Sequence, residues 1–320
     1  NWYKNNKSLI SLYLPFEGQS NSTYTKDYSN RGNNVGVVWA VWGRNGGYDS
    51  FGAYTFNDSN ERIIVQNTPD VNMNNNFTIL TWIYPETNLY AIAMKDTLDA
   101  NYDYRFYSWS GYLRFRWGNG SQVGSVSCDG CTEEINKWLH LGVVYKCNNT
   151  GSLVDFYING KYNQTVTSGV NCIKSGPSDL WIGSRENLAY TLSGKIDEFM
   201  IYNYSVSANQ IKAIFENKTN MLLSDELSSE DDNSYKCEVT PYDTKQDGES
   251  VNSSELLVIG FLNDTYKFYI KNSSNNNVAW LGSQGNIVLK GSCFVQSTCV
   301  TNDGNSFIIR NATDTTTAFI

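Results

Sequence analysis

Histidine is nearly absent: His140 is the only one in 320 residues. Any Ser-His-Asp or Cys-His mechanism would have to use it. It sits in "KWLHLGV", alternating with Leu139 and Leu141, and no serine elbow or reactive-cysteine signature accompanies it. An ordinary hydrogen-bonded strand histidine is expected. Basic charge is also in deficit, with 24 Lys and Arg against 32 Asp and Glu and a net charge of −8. That excludes the basic footprint of a nucleic-acid binder and argues against an anionic membrane surface. Long apolar runs are missing too. The richest, "VGVVWAVWG" at 35–43, falls far short of the ~18 residues of a membrane-spanning helix. No leader precedes "NWYKNN", so a secretion signal is expected to have been removed or to lie outside this sequence. Proline is scarce, at five residues, and helix-forming stretches are few.

What is present points to β-structure. Tyrosine (22), asparagine and threonine are abundant, and short β-branched and aromatic runs alternate with turn-rich segments. That pattern predicts an all-β chain. "FTILTWIYPE" (77–86) is apolar on both faces and predicts a central strand. "LVDFYINGKYNQTV" (153–166) carries Asn159-Gly160, the strongest short-range hairpin signal. The one helix is expected in "SVSANQIKAIFEN", with Ser207 as N-cap and Ile211, Ile214 and Phe215 on one face.

Thirteen Asn-x-Ser/Thr sequons occur, at Asn6, Asn21, Asn57, Asn76, Asn119, Asn148, Asn163, Asn203, Asn217, Asn252, Asn263, Asn272 and Asn311. They are a modest excess over chance for so asparagine-rich a chain, and they fit a glycosylated extracellular or cell-surface protein. Seven cysteines occur. "SCDGCT" admits a redox pair, half a zinc site or a small structural loop. A redox motif would open a helix in a βαβ context, whereas these flanks read as a strand end and a turn. In an extracellular protein structural bridges are expected: Cys128–Cys131, Cys147–Cys172 and Cys293–Cys299, with Cys237 left over.

"LYLPFEG", "DYSNRGNN", "AYTFNDSNERIIV", "FTILTWIYP", "WLHLGVVY", "VDFYINGK" and "GKIDEFMIYNYSVSANQIKAIF" follow one another in an order that resembles the laminin-G-like family in its concanavalin-A-like form. The resemblance spans residues 9–220 and implies a jelly-roll β-sandwich of two antiparallel sheets. Around it, 1–8 and 221–260 resemble two parts of an immunoglobulin-like domain. "NWYKNN" looks like its strand C and "NSYKCEV" like a later strand, with Asp232 and Tyr235 placed as in a tyrosine corner before Cys237. Similar halves flank jelly-roll insertions in repetitive archaeal surface proteins. The resemblance implies that the jelly roll is inserted into a sandwich loop. The partner of Cys237 would then lie upstream of Asn1 or in an adjacent subunit. Residues 261–320 hold an internal repeat, in which "FYIKNSSNNNVAWL" (268–281) aligns with "FIIRNATDTTTAFI" (307–320). The second copy stops before any counterpart of "GSQGNIVLKG", as if the full chain continues.

Candidate chemistry is thin. "GKIDEFMIY" offers Asp197 and Glu198, superficially like the catalytic strand of jelly-roll glucanases. Those enzymes need carboxylates on one strand face, hence at i and i+2. Here the positions two away from Asp197 are Lys195 and Phe199, so no hydrolase is expected. For calcium, which takes several oxygen ligands, "DYSNRGNN" supplies Asp27, Ser29, Asn30 and Asn34. The resemblance implies a structural calcium site using Asp27, Asn30 and Asp197, with Glu17 as a further ligand. The plainer reading of the loop, an Asx-type turn closed by its own side chains, comes first. Trp39, Trp42, Tyr48, Tyr107, Trp109, Tyr112 and Trp117 cluster in two turn-rich segments and could stack on a glycan. The expectation is a section of an extracellular filament or adhesin stalk, whose partners are neighbouring copies or flanking segments of the same protein. A glycan-binding lectin is the alternative.

Overall fold

The structure is a computed structural model. It describes all residues except 58, 96–102, 133, 149, 186, 187, 189, 228–232, 244, 245, 259–267, 272–276, 282–286, 290–307, 311–315 and 320. The chain divides into two units, one of 1–228 with 232–258 and the other of 259–320 with 229–231.

The first unit is built on two antiparallel sheets. One has seven strands in the order Val123–Thr132, Tyr112–Gly118, Tyr104–Trp109, Leu89–Lys95, Leu180–Ile182, Arg62–Val65, Val35–Val38. The other has eight. Seven run in the order Lys161–Ser168, Gly151–Ile158, Leu139–Asn148, Phe77–Pro85, Ser193–Tyr202, Ala53–Asn57, Val41–Gly43, and Ile10–Leu14 pairs with Ser193–Tyr202. Alternation sends every second side chain between the sheets. Phe77, Ile79 and Ile83 meet Leu141, Val143 and Tyr145 there, and Tyr104, Phe106, Phe115 and Trp117 close the core from the other sheet. The chain is all-β, with the sandwich architecture of a jelly roll.

Phe77–Pro85 is apolar on both faces because both are covered. Leu80 on its outer face packs with Val144, Met200, Ile211 and Ile214. The last two belong to the helix Ala208–Phe215, whose N-cap is Ser207, its hydroxyl accepting from Gln210 N. The helix ends against the Asn159-Gly160 hairpin. Both turn residues have positive φ, 52° and 70°, as a two-residue hairpin requires. A Cβ on Gly160 would also lie 2.7 Å from Phe215 Cβ.

Outside the sandwich, Trp2–Lys4 pairs antiparallel with Asn233–Val239, Trp2 lying opposite Cys237. Lys7–Ser8, Val251–Asn252 and Leu256–Val258 complete this small sheet. Asp232 lies outside the described residues. In the second unit the two sequence repeats form hairpins of one register. Ile270 pairs with Ala279 and Ile309 with Ala318, and each hairpin carries an irregularity one residue later. No helix among the described residues is long and apolar enough to cross a membrane.

Cys128 is bonded to Cys131 and Cys147 to Cys172. Cys237 is free among the described residues, and Cys293 and Cys299 lie outside them. Loop-closure entropy grows with the span tied off. Replacing Cys147 and Cys172 by serine is therefore expected to cost about 3.5 kcal/mol, against about 1.6 kcal/mol for the Cys128–Cys131 pair. Urea unfolding of the two double variants checks this, and equal losses would contradict it.

Candidate cation site

The site begins with a break in alternation. In Ser193–Tyr202, Ile196 and Phe199 both face the inter-sheet core, although an unbroken strand would send residues three apart to opposite faces. A register shift against Phe77–Pro85 lies between Asp197 and Met200, and Glu198 takes a φ of 50°. Such a bulge fits two residues into one pleat. Asp197 and Glu198 therefore leave the strand on the same side, away from the core. The expectation that Asp197 lacks a neighbouring carboxylate, based on Lys195 and Phe199, is corrected by this bulge.

Two loops bring further acids. Glu17 follows the strand Ile10–Leu14. Asp49 sits in the turn between Val41–Gly43 and Ala53–Asn57, where it accepts from Phe51 N at 2.9 Å. Oxygens of Glu17, Asp49 and Glu198 all lie within 4.8 Å of one another. Asp197 is fully buried and accepts from Tyr48 N at 3.0 Å and Glu198 N at 2.8 Å. That fixes the turn carrying Asp49 onto the strand carrying Glu198. Tyr48 in turn stacks on Trp82 with centroids 3.5 Å apart.

Burial raises the Glu17 carboxyl far above the usual range, with Glu198, Asp197 and Asp49 adding to the shift. Burial also raises Asp197, helped by Glu198 and Asp49 and opposed by its two backbone donors. Glu198 is pushed up to about 8 by burial, partly offset by the Tyr13 hydroxyl. Packed carboxyls disfavour ionisation unless a cation joins them. Glu17 Oε1 is buried without a hydrogen-bond partner among the described residues, an acceptor still lacking its positive group. Convergent hard oxygens and one orphaned acceptor fit a calcium-type ion. Glu17, Asp49 and Glu198 would hold it, with Asp197 supporting from behind.

Of the expected ligands, Glu17 and Asp197 meet here, while Asp27 and Asn30 are engaged elsewhere. Asp27 accepts from Tyr13 N, Ser29 N, Ser29 Oγ, Asn33 N and Asn33 Nδ2, the Asx-type arrangement. Asn30 donates to Glu238 and to the Tyr3 hydroxyl. His140 is corrected in one respect: its Nδ1 is buried without a hydrogen-bond partner among the described residues. The ring packs against Trp82 and Phe215 instead, and burial lowers its pKa to about 3. Among the singled-out aromatics, Trp117 is buried in the core and Trp42 donates to Phe16 O. Trp39, Trp109 and Tyr112 are exposed. Of the ten sequon asparagines among the described residues, nine are exposed and Asn119 is half-buried. Asp49 had no signal in sequence. Glu198 had one, since the core residues Ile196, Phe199 and Ile201 are spaced three and then two apart.

Residues 57–212 match the family model of the concanavalin A-like lectin/glucanases superfamily of laminin-G type, in keeping with the jelly-roll sandwich described above. No curated protein matches significantly. Similar solved structures include the receptor-binding domain of botulinum neurotoxin mosaic serotype C/D and the botulinum neurotoxin serotype D binding domain. Both have TM-score 0.52 and 19% identity, over 66% of this chain. The chain spans about half of each, 51%. At that identity the likeness establishes the fold.

A carboxyl whose pKa is higher folded than unfolded stabilises the fold below its unfolded value. That contribution is lost as pH rises through the folded value. The cation-free protein is thus expected to lose melting temperature from about pH 5 upward past neutrality. Glu17→Gln should melt about 2–4 °C above the parent at pH 8 in chelator and equally at pH 4. Millimolar calcium should raise the parent's melting temperature more than the variant's. Scanning calorimetry decides, and an identical calcium response of the two proteins refutes the site.

Proposed function

We propose that this chain is part of an extracellular, glycosylated surface protein whose concanavalin A-like domain recognises a glycan or receptor without catalysis, with a calcium-type ion bracing the fold. One observation carries the non-catalytic part. Glu17 lines the larger cavity beside Trp2 and Cys237, but Asp49 and Glu198, the pair an acid and a nucleophile would need, open onto a cavity of only about 40 Å³, walled by Tyr13, Tyr48, Trp82 and His140. That volume accommodates an ion or a water, not a sugar ring between an acid and a nucleophile. The lectin-type fold and the receptor-binding domains that share it support recognition as the task. The two disulfides and the exposed sequons support an oxidising, extracellular setting. A glycan array probed with the full chain, with and without calcium, tests the reading. Saccharide binding without hydrolysis is expected. Hydrolysis that disappears in Glu198→Gln would overturn it.

A second reading, a section of a filament or stalk, draws on the sheet outside the sandwich. Trp2–Lys4 and Asn233–Val239 pair across the whole intervening domain. Val239, Val251 and Leu256 are exposed there, and open strand edges normally need cover. The Cys237 thiol lines a cavity of about 390 Å³ together with Trp2, Met200 and Tyr202. A neighbouring copy supplying a strand and a thiol would close this face. Negative-stain microscopy and non-reducing electrophoresis of native material should then show assemblies that Cys237→Ser weakens. Monodisperse monomers in both proteins would remove this reading.

A further inference from the structure

The chain holds eight arginines, and they are not scattered. Alternation in the seven-stranded sheet sends Leu113, Phe115 and Trp117 inward, so Arg114 and Arg116 project together from the outer face. They lie about 7 Å apart along the strand. Arg105 occupies the position directly opposite Arg116 on the adjacent strand. Farther across the same sheet, Arg62 lies over the Trp181 ring at 5.2 Å and the Trp39 ring at 5.7 Å. Trp181 stands opposite Met94, and Met94 opposite Arg105. Arginine, tryptophan and arginine thus form one strip over five strands, from Arg62–Val65 to Tyr112–Gly118. At 4.8 Å per strand it is roughly 19 Å long.

This strip is anomalous in a chain of net charge −8. Like charges on one sheet face repel. No carboxylate among the described residues forms an ion pair with Arg62, Arg114 or Arg116. Each of the three also has a buried Nε without a hydrogen-bond partner among those residues. Arginine presents a fixed fork of donors that matches planar or tetrahedral oxyanions in pairs. Three such forks without a carboxylate partner among the described residues, set on one face and interleaved with tryptophan, suit an anionic ligand. The length calls for a chain of anions rather than one ion. The exposed indole of Trp39 supplies the apolar plate on which a sugar ring can stack.

We propose that the outer face of the seven-stranded sheet binds an anionic polysaccharide, its sulfate or carboxylate groups on Arg62, Arg114 and Arg116 and its rings on Trp181 and Trp39. This face is separate from the carboxyl cluster. The inference rests on the recognition reading only in taking the ligand to be a saccharide.

The test uses the full chain and four probes: a heparin oligosaccharide, a polyuronate, a neutral glucan and inorganic sulfate. Binding of one or both charged saccharides is expected, weakening steeply as salt rises. Heparin and polyuronate separate sulfate from carboxylate as the preferred group. Arg114→Gln with Arg116→Gln should weaken binding about tenfold or more, two charge-assisted contacts being lost. Lys161→Gln, on the other sheet, should leave it unchanged. Without ligand the double variant should melt no lower than the parent, because a like-charge pair has gone. Should that variant fail to fold, Arg114→Lys with Arg116→Lys serves instead. It keeps the charge but loses the fork, so weaker saccharide binding with a retained salt dependence is expected. Unchanged affinity in the variants overturns the inference. So does binding of inorganic sulfate alone. Binding of the neutral glucan alone overturns it too, while leaving the recognition reading intact.

Discussion

The strand Ser193–Tyr202 must satisfy three neighbours and two faces at once. It pairs with Phe77–Pro85, Ala53–Asn57 and Ile10–Leu14, its inner side fills the inter-sheet core, and its outer side lies under the helix Ala208–Phe215. Such a strand should be apolar throughout, yet it carries two acids. The bulge reconciles these demands by moving both carboxyls out of the core and returning Phe199 and Ile201 to it. The cost is desolvation of carboxyls held close together, which no direct ion pair in the described residues offsets. Backbone donors hold Asp197. Glu198, Asp49 and Glu17 still face one another, and a divalent ion is the group whose charge resolves that repulsion.

Local features were legible in the sequence because they depend on near neighbours. Asn159-Gly160 makes its turn through the φ angles those residues tolerate. Ser207 caps its helix through a bond to Gln210 N, three residues away. Cys128 and Cys131 are close enough to meet in any compact turn. Asp27 also behaved locally, its carboxylate consumed by the amides and side chains of its own loop. Asp49 was illegible because its role is set by a hydrogen bond from Tyr48 to Asp197, 149 positions away. The partial signal for Glu198 lay in hydrophobic spacing rather than in the acids. Reading Lys195 and Phe199 as partners assumed an unbroken pleat, and the pattern Ile196, Phe199, Ile201 already contradicted it.

The two faces of the sandwich carry opposite electrostatic problems, and the difference lies in burial. On the eight-stranded side the bulge gathers carboxyls whose ionisation burial disfavours, and either a cation or protonation relieves them. On the seven-stranded side stand guanidinium groups on half-buried stems, which cannot shed their protons and remain open to solvent. An acid nest can be relieved by pH, whereas an arginine strip can be relieved only by a counter-charge. An ion held by Glu17, Asp49 and Glu198 would therefore act on the fold itself, tying the turn at Asp49 to the central strand. A polyanion on Arg62, Arg114 and Arg116 would act on what the domain attaches to. The overall negative charge sharpens this division. It repels polyanions in general, so that binding would depend on a local cluster of guanidinium groups.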